Sequence, residues 1–188
     1  MTLPNRLTML RIVLAAAVFA SLMSEEPAWH LAALVMFVAA IVTDWLDGWL
    51  ARRTKTVSPF GKIADPIADK ILVLGTLIAL IRLKELAVPL WAVFLIVMRE
   101  LIIGGVRVIA GAQGKVLAAD RFGKIKTAVQ LVAIAGMIIV VVLLGRGQAA
   151  PWMIRSVYWL TVLCAVLALS SLWSYLVQYR SMLEKSWS

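Results

Sequence analysis

The chain has 188 residues, 63% of them hydrophobic, whereas an ordinary soluble domain is about 45–50% apolar. With a mean hydropathy of +0.95, this composition excludes an ordinary soluble globule and points to an integral membrane protein. The formal net charge is +9, from 19 Lys and Arg against 10 Asp and Glu; the basic residues sit mainly at the ends of apolar runs, so they read as headgroup and topology signals and not as a nucleic-acid surface.

A membrane-crossing helix needs about 20 mainly apolar residues, and six segments are candidates. The first runs from about Leu7 to Met23 and ends at Ser24-Glu25-Glu26-Pro27. No small-residue cleavage site follows it, so it is expected to be a retained helix and not a signal peptide. The second runs from about Trp29 to Leu50, the third from Pro66 to about Ile81, and the fourth from about Val88 to Ala110. Proline suits a first turn, which places the start of the third helix at Pro66. The fifth runs from about Thr127 to Leu144 and the sixth from about Trp152 to Val177. Between the fourth and fifth lies the longest polar connection, Gly111 to Lys126, where Gly111, Gly114 and Gly123 allow bending. Trp29, Trp91 and Trp152 would suit an aromatic belt. The one cysteine, Cys164, has no partner for an intrachain disulfide. No polar stretch is long enough for a second, soluble domain, so residues 1–188 are expected to form one membrane domain.

Six spans put fourteen of the 19 Lys and Arg on the side of the N-terminus and four on the other, with Arg99 inside the fourth span. The positive-inside rule makes the richer side cytoplasmic. The expected fold is therefore an all-α six-transmembrane-helix bundle with both termini in the cytoplasm.

Four aspartates stand at the cytoplasmic ends of the second and third spans, in the frame Asp44-x2-Asp47-Gly48-x2-Ala51-Arg52-x8-Gly61-x3-Asp65-x3-Asp69. A carboxylate within a bilayer costs roughly 2.5–3.5 kcal/mol even on the mild insertion scale, so a cluster of four calls for cations. Spacings of three and four stay on one helix face. Asp44, Asp47, Gly48 and Ala51 therefore form one stripe, and Asp65 and Asp69 a four-spaced pair opening the next helix. Hard cations such as Mg²⁺ or Mn²⁺ take oxygen ligands, and four carboxylates suffice for two of them. A pair of metals can clamp the attacking and leaving oxygens of a displacement. Small residues at Gly48 and Ala51 would let a phosphate or base approach the backbone, Gly61 would let the linking loop turn, and Arg52 could hold a pyrophosphate oxygen. Taken singly, any of these aspartates reads equally well as a snorkelling carboxylate, and Gly48 or Ala51 as helix packing.

The frame resembles the signature of the CDP-alcohol phosphotransferase family at every fixed position. The resemblance implies six spans, a cytoplasmic active site, two divalent metals, and transfer of a phosphatidyl group from CDP-diacylglycerol to an alcohol with release of CMP. It implies that Asp44, Asp47, Asp65 and Asp69 are metal ligands, that Asp69 is also the base, and that Gly48, Ala51 and Arg52 hold the cytidine diphosphate. It also implies a homodimer.

The frame does not choose the acceptor. Arg107, Lys124 and Lys126 could surround a dianionic phosphate, which favours a phosphorylated alcohol over serine. Arg99 and Glu100 form either a functional intramembrane pair or a charge-compensated structural one; Asp120 and Arg121 belong either to the substrate site or to a solvated loop. The motifs Leu3-Pro4-Asn5-Arg6-Leu7-Thr8 with Arg11, Phe60-Gly61-Lys62, Arg99-Glu100 and Gly123-Lys124-Ile125-Lys126-Thr127 resemble the phosphatidylglycerophosphate synthase branch. That branch implies sn-glycerol 3-phosphate as acceptor and the bacterial inner membrane as location. Cardiolipin, phosphatidylinositol-phosphate and phosphatidylserine synthases are the rivals within the family. A divalent-cation transporter is the rival outside it, and would spread its acids through the bilayer depth.

Overall fold

The computed structural model describes residues 3–54, 59–112 and 121–180. Among these residues six α-helices follow one another: α1 (Leu3–Met23), α2 (Pro27–Thr54), α3 (Pro59–Arg82), α4 (Leu90–Ala112), α5 (Arg121–Gly145) and α6 (Pro151–Gln178), with a 3₁₀ turn at Lys84–Leu86. No strand occurs among the described residues. Asn5–Met23, Pro27–Trp49, Ile125–Gly145 and Pro151–Gln178 are each long and apolar enough to cross a membrane, so this is an all-α membrane protein. The other two helices are interrupted by charge, α3 by Asp65, Asp69 and Lys70, and α4 by Arg99, Glu100 and Arg107.

Of these helices, α3 and α5 begin furthest ahead of where the sequence suggests. α3 starts at Pro59 and Pro66 lies inside it. Pro59 also satisfies the preference for proline in the first turn. Pro66 lacks only its own N–H, so a single carbonyl, that of Lys62, loses a helical donor. Gly61 is therefore a buried residue of a helix and not the pivot of a loop. α5 starts at Arg121, so the end of the expected polar connection is helical. Residues 113–120, Asp120 among them, lie outside the described residues.

The chain forms two compact units, Met1–Val88 with Ile134–Val157, and Pro89–Ala133 with Tyr158–Ser188. In the first, α1 packs against both α2 and α3. Thr8, Arg11, Ala15, Val18 and Leu22 are buried along one face of α1, at the three- and four-residue spacing of a helical stripe. On α2 the buried stripe is His30, Ala33, Phe37, Ala40 and Asp47, and on α3 it includes Ala64, Ala68 and Leu72. Small residues in these stripes let the helices approach closely, which is how membrane helices pack without a hydrophobic drive between them. A Cβ on Gly145 would stand 2.9 Å from Cβ of Pro27, so the end of α5 approaches the start of α2 where only a glycine fits. Just beyond, Gly147 adopts φ +67°, while Gly147 N donates to Leu144 O (3.0 Å) and Gln148 N to Leu143 O (2.9 Å). This pair of bonds closes the last turn of α5 as a Schellman motif, whose left-handed residue favours glycine.

In the second unit, Ile103, Val106 and Ala110 of α4 pack with Leu172 and Tyr175 of α6. Arg99 and Lys126 are buried polar members of this unit. Cys164 is a free, buried cysteine. Trp29, Trp91 and Trp152 are exposed, each in the first turn of its helix, as interfacial aromatic residues are.

Candidate active site

The stripes of α1, α2 and α3 are apolar in their middles and polar at one shared end. There α1 offers Thr8 and Arg11, α2 offers Asp44 and Asp47, and α3 offers Asp65 and Asp69. Arg11 Nη2 lies 2.8 Å from Asp44 Oδ1 and 3.8 Å from Asp47 Oδ2. Arg11 Nη1 donates to Asp69 Oδ1 at 2.8 Å. Thr8 Oγ1 donates to Asp65 Oδ1 at 2.6 Å and lies 3.3 Å from Asp47 Oδ2. One guanidinium and one hydroxyl thus contact all four carboxylates of the frame.

The four are not equivalent. The side chains of Asp44 and Asp69 are 51% and 52% exposed, whereas that of Asp47 is 6% exposed and that of Arg11 is fully buried. Asp44 and Asp69 can therefore meet a solute, while Asp47 is an interior charge. Asp47 Oδ1 is buried without a hydrogen-bond partner, a costly state for a carboxylate oxygen. Four carboxylates against one guanidinium leave a formal charge of −3 on these five residues. An excess of oxygen donors and negative charge, including an unsatisfied buried oxygen, fits a hard divalent cation. Among the described residues no three such side chains are already disposed as a cation cage; Arg11 stands between Asp44 and Asp69 instead.

The sequence brings the four aspartates together but does not mark Thr8 and Arg11 as their partners: Arg11 counts there as a topology charge, and both residues only as part of the N-terminal motif. The signal lay in the register, because Thr8 and Arg11 continue the stripe of Ala15, Val18 and Leu22. Gly48 is half-buried on α2, one residue beyond Asp47. The side chains of Ala51, Arg52, Arg121 and Lys124 lie outside the described residues.

The second unit holds the other charged cluster. Glu100 Oε1 accepts from Arg99 Nη1 at 2.8 Å and from the Lys126 ammonium, and Arg99 Nη2 donates to Ser171 Oγ at 2.7 Å. Arg99 and Lys126 are both buried, so one carboxylate compensates two interior cations and leaves a formal +1. The geometry favours the compensated pairing of Arg99 and Glu100. Arg107 is exposed. It lies seven residues beyond Glu100, two turns along nearly the same face of α4.

The sequence profile of the CDP-alcohol phosphatidyltransferases matches residues 1–169. The chain belongs to this family. CDP-alcohol phosphatidyltransferases are transferases that generally use divalent metal ions, in keeping with the oxygen-rich end of the first unit. A Bacillus subtilis CDP-diacylglycerol–glycerol-3-phosphate 3-phosphatidyltransferase is 38% identical over 150 residues, which cover 73% of this chain and 76% of that protein. A Pseudomonas fluorescens protein of the same name is 32% identical over 183 residues, 94% of this chain and 89% of its own. A cardiolipin synthase (CMP-forming) from Oryza sativa is 34% identical over 193 residues, 95% of this chain and 57% of its own.

Proposed function

We propose that this CDP-alcohol phosphatidyltransferase transfers the phosphatidyl group of CDP-diacylglycerol to sn-glycerol 3-phosphate, giving phosphatidylglycerophosphate and CMP. The observation that carries the reading is the meeting of Asp44 and Asp47 with Asp65 and Asp69 at one end of the first unit. The names borne by the Bacillus and Pseudomonas relatives support the acceptor.

In this reading Asp44, Asp47, Asp65 and Asp69 hold two divalent cations, Mg²⁺ or Mn²⁺, which when bound neutralise charge on the pyrophosphate. Asp69, half exposed on α3, takes the proton of the acceptor's 1-hydroxyl. That oxygen forms a bond to the lipid-linked phosphorus as the bond from this phosphorus to the CMP oxygen breaks, and CMP leaves with the electron pair. Gly48, Ala51, Arg52 and Gly61 hold the cytidine diphosphate. Arg107, Lys124 and Lys126 hold the acceptor's phosphate, with Glu100 setting how much of the Lys126 charge is available to it. Catalysis is then mainly positioning and charge neutralisation. The same reading makes the protein a six-span, homodimeric enzyme of the bacterial inner membrane. Both termini and the aspartates face the cytoplasm, where a lipid donor and a water-soluble acceptor can meet.

The test is CMP release from CDP-diacylglycerol by the purified protein, with glycerol 3-phosphate, phosphatidylglycerol, inositol phosphate or serine as acceptor. Metal-dependent release with glycerol 3-phosphate is the expected result. Faster release with phosphatidylglycerol would make the chain a cardiolipin synthase. No release with any acceptor would leave the transporter reading standing and sink this one.

A further inference from the structure

We infer that Arg11 is a built-in counter-cation of the aspartate cluster, which competes with a divalent ion for the same carboxylates and so sets the metal concentration at which the site loads. This rests on the proposal that the four aspartates hold divalent metal. It concerns a residue of α1, which lies outside the aspartate frame.

The geometry carries the inference. Arg11 is fully buried, and its two terminal nitrogens reach carboxylates on different helices, Asp44 of α2 and Asp69 of α3, each at 2.8 Å. Asp47 lies 3.8 Å from the same guanidinium. Three of the four carboxylates therefore face one fixed charge. The oxygens it engages belong to Asp44 and Asp69, the carboxylates open to solvent and so the first that an ion arriving from water meets.

A hard cation needs those lone pairs. A dication seated on Asp44 and Asp69 would stand beside a cation at contact distance, so the guanidinium must withdraw or the ion binds less tightly. Little directional bonding holds it there. Arg11 Nε and Nη2 are buried without a hydrogen bond of good geometry, so the Nη2 contact with Asp44 is one of charge. Only the Nη1 bond to Asp69 is directional. The guanidinium thus resembles a resident ion more than a locked structural strut. Without it, the cluster carries −4 in place of −3. The metal-free protein should then be less stable and the ion should bind more tightly.

The test compares the full-length protein with Arg11→Gln and Arg11→Lys, each purified in detergent, stripped with chelator and titrated with Mn²⁺. Thermal unfolding gives the half-saturating concentration, and electron paramagnetic resonance counts bound Mn²⁺. Arg11→Gln should lower that concentration by at least about fivefold, the lower end of ordinary site–site coupling. It should also lower the melting temperature more without Mn²⁺ than with it. Arg11→Lys, whose single ammonium cannot bridge two carboxylates in the same way, should shift the midpoint in the same direction by less. If Arg11→Gln folds only when Mn²⁺ is present throughout, that too supports the inference, and Arg11→Lys then supplies the midpoint. An unchanged or raised midpoint in both variants, or equal destabilisation with and without Mn²⁺, would overturn it and make Arg11 a structural residue. Absence of any Mn²⁺ effect on the wild-type protein is a different failure: it would refute the metal reading of the aspartates, and this inference would fall with it.

Discussion

Glu100 lies between two buried cations, Arg99 and Lys126, and its removal gives a measurable prediction. In Glu100→Gln the side chain keeps its shape and one acceptor oxygen, but Arg99 and Lys126 lose their counter-charge. Deleting one partner of a buried ion pair costs about 3–5 kcal/mol because the remaining charge is left uncompensated. Here two charges are left, although the amide oxygen can still accept from one of them, so about 3 kcal/mol is the working value. In a chain of this size each kcal/mol moves the melting temperature by about 2–4 °C, so Glu100→Gln should melt about 6–12 °C below wild type. Thermal unfolding in one detergent at one pH is the assay. A second variant isolates the cause: Glu100→Gln with Lys126→Met removes one of the two stranded cations and should recover at least half of the loss. Neighbouring charges are expected to depart from additivity by more than the 0.3–0.5 kcal/mol typical of independent sites (roughly). The reasoning fails if Glu100→Gln melts within about 2 °C of wild type, or if the double variant is as unstable as the two single losses added together.

Three further outcomes follow from the geometry. Asp69→Asn should lower CMP release by about 10²–10⁴-fold, the usual contribution of a general base. It should melt close to wild type because this side chain is half exposed and an amide oxygen can still accept from Arg11; activity near wild type would end the base assignment. Thr8→Val removes the hydroxyl that donates to Asp65 at 2.6 Å and should cost about 1–3 kcal/mol, read as a lower melting temperature that Thr8→Ser restores. Equal melting of the valine and serine variants would show that the hydroxyl contributes nothing. Gly147→Ala places a side chain at φ +67° and should cost about 1–2 kcal/mol without changing CMP release. A loss of activity beyond the loss of folded protein would mean that this turn does more than close α5.

The aspartate frame could be read without coordinates because its two physical signals are local. Carboxylates in apolar surroundings are costly, and spacings of three and four put them on one face. The partners of those aspartates were harder to see. A basic residue near the start of an apolar run serves as well for topology as for a site, and only the packing of α1 on α2 and α3 decides that Arg11 points inward. Lys126 posed the same problem: at the start of α5 it reads as a free phosphate ligand, while the carboxylate that binds it stands on α4, at a sequence distance where no periodicity operates. Proline misplaced the start of α3 for a different reason. Pro59 and Pro66 both fit a first turn, and the polar run Gly61, Lys62 and Asp65 resembles a loop until Asp65 finds Thr8. Register on a buried stripe would have recovered Thr8 and Arg11, but it also selects His30, which continues the stripe of α2 at the opposite end. The His30 ring is buried with Nε2 3.0 Å from the Ser24 carbonyl. That acceptor requires Nε2 to be the donor, and the bond ties the α1–α2 turn to α2 as a structural contact. What separates Arg11 from His30 is the company each keeps. His30 meets one carbonyl, whereas Arg11 meets three carboxylates whose mutual repulsion only a cation can relieve.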